Sequence, residues 1–264
     1  MVDGLSRIVA RNPSRMTYHG TNTYLLPEED GFLVLDPGPA DDPAHVAEVI
    51  RATKGRITRY VVTHGHHDHV GALPEMKSRV PAPVYSFVKP LNLDQPRPDV
   101  PMRDGDRVGE LRAVHTPGHA PDHLCFQWRD GMIFTGDHVM GWSSSVVSPP
   151  LGSMADYIAS LDRLLARDDR LYLPGHGPAL ASPQAYVREL RDRRVTRERE
   201  ILDALHREQV TVAELSRRLY AKTDPILQSA AERNVLSHLE KLQAEGFVRE
   251  EDGFWYPSHR PGGS

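Results

Sequence analysis

A single cysteine, Cys125, among 264 residues excludes an internal disulfide and leaves no thiolate pair for a structural zinc site. It falls in the strand-like run His123 to Trp128, where a buried free thiol is the expected state. No apolar run approaches the roughly 20 residues that a membrane helix needs. The N-terminal stretch Met1-Val2-Asp3-Gly4-Leu5-Ser6-Arg7 lacks a cationic segment followed by a long apolar core, so no signal peptide is read there. Neither sign of charge dominates, with 32 Lys plus Arg against 36 Asp plus Glu. These absences fit a soluble, cytoplasmic enzyme with no membrane partner, and the length suits one to two domains with a sizeable core.

What the chain has instead is histidine, 14 in all, and His64-Gly65-His66-His67-Asp68-His69 concentrates them. A pattern His-x-His-x-Asp-His arises by chance roughly 0.003 times in a chain of this composition. Arg59 to Thr63 is a β-branched and aromatic run, Gly65 permits an unusual backbone angle, and Val70 to Val80 turns to helical periodicity. His64 and His66 therefore leave a strand end together, with Asp68 and His69 at the next helix entrance. One loop cannot close a coordination sphere, so further ligands are expected downstream. Three segments repeat the order of apolar strand, Gly turn and ligand-capable side chain: Leu111 to His115 before Thr116-Pro117-Gly118-His119, Met132 to Phe134 before Thr135-Gly136-Asp137, and Leu171 to Leu173 before Pro174-Gly175-His176.

In the order of these motifs, from Gly20 to about Gly177, the chain resembles the metallo-β-lactamase superfamily. The resemblance implies a four-layer αββα sandwich in which His64, His66 and His119 hold one metal, Asp68, His69 and His176 hold the other, and Asp137 bridges them. Two divalent ions per chain are expected, zinc being the metal that the His-rich set suits, although His with carboxylates also holds iron or manganese. Asp36, in Asp36-Pro37-Gly38, is either a carboxylate supporting the metal loop or an ordinary turn residue. Asn22 resembles a family position on the site floor. His67, His115, His123 and His138 have no vacant ligand position; packed or solvated rings are expected, with His123 and His138 the best placed to support a ligand from behind. Ala120 stands where relatives carry Thr or Ser.

The chain is read as a catalytic unit over 1–180 and a second unit over 181–264. Ser182-Pro183 reads as the start of an arginine-rich helix reaching about Glu208. Thr211-Val212-Ala213-Glu214 and Ser229-Ala230-Ala231-Glu232 read as capping boxes of two further helices, and Asp252-Gly253 as a hairpin turn. Helix, helix, helix, hairpin is the winged-helix order, and the whole pattern resembles the β-lactamase-like protein 2 group, which includes a single-strand RNA endonuclease. Yet 181–264 carries 14 Lys plus Arg and 14 Asp plus Glu, where duplex binders present a basic stripe. The arginines of the long helix are expected to be solvated and paired within the helix, and the unit to wall the catalytic cleft or mediate a homodimer.

The resemblance implies a dinuclear hydrolase in which a hydroxide shared by two metals attacks, oriented by Asp68. Asp137, where true β-lactamases carry Cys or Ser, leaves β-lactam hydrolysis at most a side activity. Single-stranded RNA is the leading substrate, with a thioester, as in glyoxalase II, or a lactone as the small-molecule alternative. Ser143, Ser144 and Ser145 line a substrate loop on this reading, and Trp142 and Tyr157 are core residues or stacking surfaces.

Overall fold

The computed structural model describes residues 3–89, 97–129, 131–206 and 208–258. Strands β1 (Ser6–Val9), β2 (Asn22–Glu28), β3 (Gly31–Leu35), β4 (Ile57–Val61), β5 (Val84–Phe87) and β6 (Val100–Met102) form one sheet in that order. Strands β7 (Arg107–Val108), β8 (Leu111–His115), β9 (Leu124–Trp128), β10 (Met132–Gly136), β11 (Leu171–Pro174) and β12 (Leu180–Ala181) form the second. Pairing turns parallel between β3 and β4, and between β10 and β11.

Alternation along each strand sorts side chains between two interiors. Leu33 and Leu35 of β3 meet Leu124, Phe126 and Trp128 of β9 between the sheets. Val34 points the other way, onto Val46 and Val49 of α1 (Pro43–Ala52). Next in the chain, α2 (His67–Val70) and α3 (Leu73–Arg79) follow β4, and Met76 joins the outer layer with Val46 and Val49. On the opposite outer face, Cys125 and Ile133 pack on Tyr157, Leu161 and Leu164 of α4 (Met154–Leu165), together with Val187 and Leu190 of α5 (Gln184–Leu205). Helix, sheet, sheet, helix is the expected αββα order. Cys125 is a buried free thiol whose burial pushes its pKa up to about 12, which removes it from thiolate chemistry.

Beyond α5 come α6 (Val212–Leu219), a 3₁₀ turn at Pro225–Leu227, α7 (Gln228–Ala244) and the hairpin β13 (Val248–Glu251) with β14 (Phe254–Pro257). Ile201, Leu205, Leu215, Val235, Leu239 and Trp255 make their core. The Thr211 capping box is present. Asp252 and Gly253 both have positive φ, as a two-residue hairpin turn requires.

Two helix starts differ from expectation. Ser182 sits at φ 49° and makes no cap; Pro183 is the N-cap residue. Ser229 lies inside α7, because Asp224 caps the preceding turn, accepting from the Ile226 amide, and the helix runs on from there. Local propensity chose a cap, but the chain had already turned. Among the described residues no helix is long and apolar enough to cross a membrane.

Candidate metal centre

Four strand ends meet at one edge of the sandwich. Asp36, just past β3 in the left-handed region at φ 53°, accepts from the Thr63 amide and from Thr63 Oγ1, both at 2.8 Å. Its Oδ2 also lies 2.9 Å from His69 Nδ1. One carboxylate thus ties the loop after β4 to the helical turn of α2, and the supporting role is the reading the geometry favours over a plain turn. From the other sheet, Asp122 Oδ2 accepts from the Gly65 amide at 2.9 Å. The expected helix Val70 to Val80 is split: α2 is a single turn inside the metal loop, and α3 follows.

The ligand-capable atoms converge in overlapping groups. His64 Nε2 lies 2.9 Å from His66 Nδ1, which lies 3.0 Å from His119 Nε2. Asp68 Oδ2 lies 3.1 Å from His176 Nε2 and 3.5 Å from His69 Nε2. Asp137 stands between the groups, with Oδ1 3.3 Å from both His69 Nε2 and His176 Nε2, and Oδ2 3.7 Å from His119 Nε2. Each set of three, His64-His66-His119 and Asp68-His69-His176, has its donor atoms within 4.8 Å of one another. The outer ring nitrogens are occupied: His64 Nδ1 by Thr63 Oγ1 at 3.0 Å, His119 Nδ1 by the Val146 carbonyl at 2.7 Å. That sets the tautomers and leaves Nε2 lone pairs facing inward.

These residues fit two cations. His69 Nε2 and Asp137 Oδ1 are buried without hydrogen-bond geometry to any partner, which costs free energy unless something else satisfies them. A Cβ on Gly175 would come 2.7 Å from Asp137 Oδ1 and from His69 Cε1, so only glycine permits the close approach. Burial, and then the neighbouring imidazoles, push His64 well down; burial and His119 bring His66 to about 4. Neutral imidazole is the ligand form. Burial opposes charge on His176 too, but the Asp137 and Asp68 carboxylates override it and raise it to about 9. His69 is likewise raised by Asp68, Asp137 and Asp36 against its burial. Burial alone would raise Asp68 and Asp137, yet their imidazolium neighbours hold both low.

The supporting residues divide. Asn22 Nδ2 donates to the carbonyls of Pro174 and Gly177 at 2.8 and 3.0 Å, holding the loop that carries His176. His123 Nε2 accepts from the Asp137 amide at 3.2 Å. His138 touches no ligand: its ring nitrogens are unpartnered, it packs on Tyr157, and burial pushes it down to about 3. His115 stacks on Phe87 and His67 is exposed. Sequence reasoning passed over Thr21, whose hydroxyl donates to Asp68 Oδ2 at 3.2 Å, and also Thr63 and Asp122. Thr21 and Thr63 adjoin residues already singled out; Asp122 carries no signal, because only the fold brings it to Gly65.

The donors open into a cavity of about 570 Å³ that runs between the sandwich and the C-terminal helices. His66, Asp68, His119, Asp137 and His176 line one part of it, and Arg15, Arg193, Arg194, Arg197 and Arg233 also line it. The expectation of intrahelical pairing along α5 holds for Arg193 with Glu189 and for Arg197 with Glu200, and fails for Arg194. Arg194 is only 6% exposed and donates to the Ser145 carbonyl at 2.6 Å. Trp142, Ser143 and Ser144 line the cavity, while Ser145 and Tyr157 are buried. The N-terminal half of α7 faces this cavity through Ala230, Ala231 and Asn234, with Leu227 just before it, so this helix is turned partly toward the catalytic unit.

Residues 16–176 match the Metallo-beta-lactamase superfamily, and residues 211–255 match the Beta-lactamase associated winged helix domain. The Beta-lactamase-like protein 2 homolog of Drosophila melanogaster is 30% identical over 272 residues, covering 94% of this chain and 91% of that protein. The Atrochrysone carboxyl ACP thioesterase of Aspergillus chevalieri is 32% identical over 207 residues, 75% of this chain and 65% of that protein. The crystal structure of a metallo-beta-lactamase family protein from Thermus thermophilus superposes with a TM-score of 0.83 at 21% identity, over 97% of this chain and 99% of that one, a likeness of fold. The chain therefore belongs to the metallo-β-lactamase superfamily, as a hydrolase whose catalytic sandwich is followed by the β-lactamase-associated winged helix.

Proposed function

We propose that this protein is a dinuclear metal-dependent hydrolase of thioesters, with zinc as its metal. The observation that carries the reading is the cavity leading from the donor cluster to the C-terminal helices. Its volume of about 570 Å³ lies in the range of small-molecule sites, and Met16, Met140, Trp142, Val146, Leu151 and Leu227 give it an apolar lining suited to the uncharged arms of a thioester. The relative named as an ACP thioesterase agrees. A second reading, single-stranded RNA, draws on the five arginines and on Trp142 and Tyr220 as surfaces for base stacking; the apolar lining favours the thioester.

When bound, the two ions would supply Lewis acidity toward the scissile carbonyl and ionise water at neutral pH. His64, His66 and His119 would hold one ion; Asp68, His69 and His176 the other; Asp137 would serve both. Asp68 has the second task of orienting the attacking water and taking its proton, helped by the Thr21 hydroxyl, which fixes Oδ2. Cys125 is too deeply buried to act as a nucleophile.

Zinc-loaded protein incubated separately with an acyl-pantetheine thioester, a lactone and single-stranded RNA tests the reading. Thiol release that a chelator abolishes is expected. RNA cleavage without thioester turnover would replace this reading with the second.

A further inference from the structure

We propose that Arg193 and Arg233 form a phosphate-binding site for the thiol half of the substrate, an inference that rests on the thioester reading above. Five guanidinium groups line a cavity whose only carboxylates, among the described residues, are Asp68 and Asp137, both in the donor cluster. The chain as a whole has a net charge of −4, so this gathering of one sign is not a consequence of composition.

Three of the five are committed elsewhere. Arg15 pairs with Asp224 at 3.0 Å. Arg197 pairs with Glu200 at 2.9 Å, donates to the Leu219 carbonyl at 3.0 Å and stacks on Tyr220. Arg194 has no carboxylate partner among the described residues, but it is buried, donating to the Ser145 carbonyl at 2.6 Å and lying over the Tyr157 ring. Arg233, on α7, hydrogen-bonds only the Ser229 hydroxyl, at 3.2 Å, and has no carboxylate in ion-pair range among the described residues. Arg193, on α5, meets Glu189 only at 3.9 Å, one turn away on its own helix, and lies over the Tyr186 ring at the longer distance of 5.8 Å. Two exposed guanidinium groups from different helices thus border the reaction cavity without a close counter-charge among the described residues.

A guanidinium fork matches phosphate oxygens two at a time, and two forks can share one phosphate. The carbonyl of a thioester belongs at the donor cluster. An anionic group at Arg193 and Arg233 must then sit on a distal arm of the same molecule, and Met140, Trp142 and Val146 line the same cavity for an uncharged connecting segment. A thiol arm that ends in phosphate, of the phosphopantetheine class, meets these demands. The winged helix then acts as an anion-holding wall of the active site.

Calorimetric titration of the full-length, zinc-loaded protein with S-methyl pantetheine and with its 4′-phosphate isolates the phosphate. The phosphorylated ligand should bind at least about 10-fold more tightly, as charge-assisted hydrogen bonds provide, and the ratio should fall close to one in R193M/R233M. Arg233→Met alone should lower it part of the way, which guards against misfolding of the double variant. Equal binding by the wild type, or an unchanged ratio in the double variant, overturns the proposal. So does loss of single-stranded RNA affinity in that variant where the phosphate on pantetheine makes no difference. Neither ligand carries a thioester, so binding is read apart from the reaction: thioester turnover without phosphate selectivity removes this site and leaves the reaction, while selectivity without turnover supports the site and removes the reaction.

Discussion

The side-chain oxygen of Asn234 accepts a hydrogen bond from the Val147 amide at 3.0 Å, which ties the third helix of the winged unit to the loop behind a metal-site histidine. One residue earlier, the Val146 carbonyl holds His119 Nδ1 at 2.7 Å, and one before that, the Ser145 carbonyl takes Arg194 at 2.6 Å. The C-terminal helices therefore set the position of His119 through three consecutive residues. Asn234→Leu strands a buried amide, at a cost of about 1–3 kcal/mol. It should also weaken metal binding about 10- to 100-fold, as loss of a ligand's support does. Chelator competition checks it: lower stability with unchanged metal affinity would reduce the clamp to a packing contact.

Asp137→Ala removes the one carboxylate, among the described residues, within reach of both donor sets. Circular dichroism should report a folded chain, and metal content should fall below that of the wild type. Turnover should drop by more than about 100-fold, beyond the loss that follows when only a ligand's support is removed. Wild-type turnover in the folded variant would contradict the dinuclear reading.

Asp36→Asn keeps the left-handed backbone, which Asn tolerates, and removes the charge. Asp36 now accepts from Thr63 twice and from His69 once; an amide cannot accept at all three points. Zinc affinity should fall about 10- to 100-fold, read by titration against a chromophoric chelator. An unchanged affinity would return Asp36 to the status of a turn residue.

The metal-free protein should lose stability between about pH 6.5, the ordinary histidine value, and about 9, the value to which the Asp137 and Asp68 carboxylates lift His176 against its burial. A raised histidine stabilises fully below its unfolded pKa, and that stability is lost as pH rises through the folded one. The depressed Asp68 and Asp137 act in the opposite sense, losing stability as pH falls below the carboxylate range. Zinc must displace the His69 and His176 protons, so its binding at about pH 7.5 should release protons and tighten as pH rises. Calorimetry in two buffers of different ionisation heat measures the release; identical heats would contradict it.

A chain cut after residue 180 should aggregate, because Val187 and Leu190 of α5 are fully buried against Leu161, Leu164 and Tyr172. A chain cut after residue 206 keeps those two side chains and should stay soluble enough for gel filtration. A well-behaved 1–180 fragment would show that α5 is dispensable to the sandwich.

The donor cluster was legible in the sequence because its seven residues follow four strands, four of them in the one loop after β4 and the others singly after β8, β10 and β11, where a short apolar run and a glycine announce them. His64, His119, Asp137 and His176 needed no long-range information to be singled out, whereas Leu33, Val34 and Leu35 are a plain apolar run whose alternation between two interiors only the packing of the sheets reveals. Helix starts were less legible: at Ser182 and Ser229 a good capping residue stood beside a turn that had already been made, by a left-handed backbone in one case and by Asp224 in the other. Asp122 and Asn234 bore no mark at all, and the arginine-rich pattern of α5 did not show which of its arginines reach the cavity. Asp122 acts on Gly65, 57 residues away, and Asn234 on Val147, 87 residues away. Such pairs are set by the packing of one sheet on the other and of α7 on the sandwich. Chain-local chemistry determined which atoms can bind a metal; tertiary packing decided what stands opposite them, because a spacing rule reaches only as far as one strand, turn or helix and a cleft is made by elements that meet from distant parts of the chain.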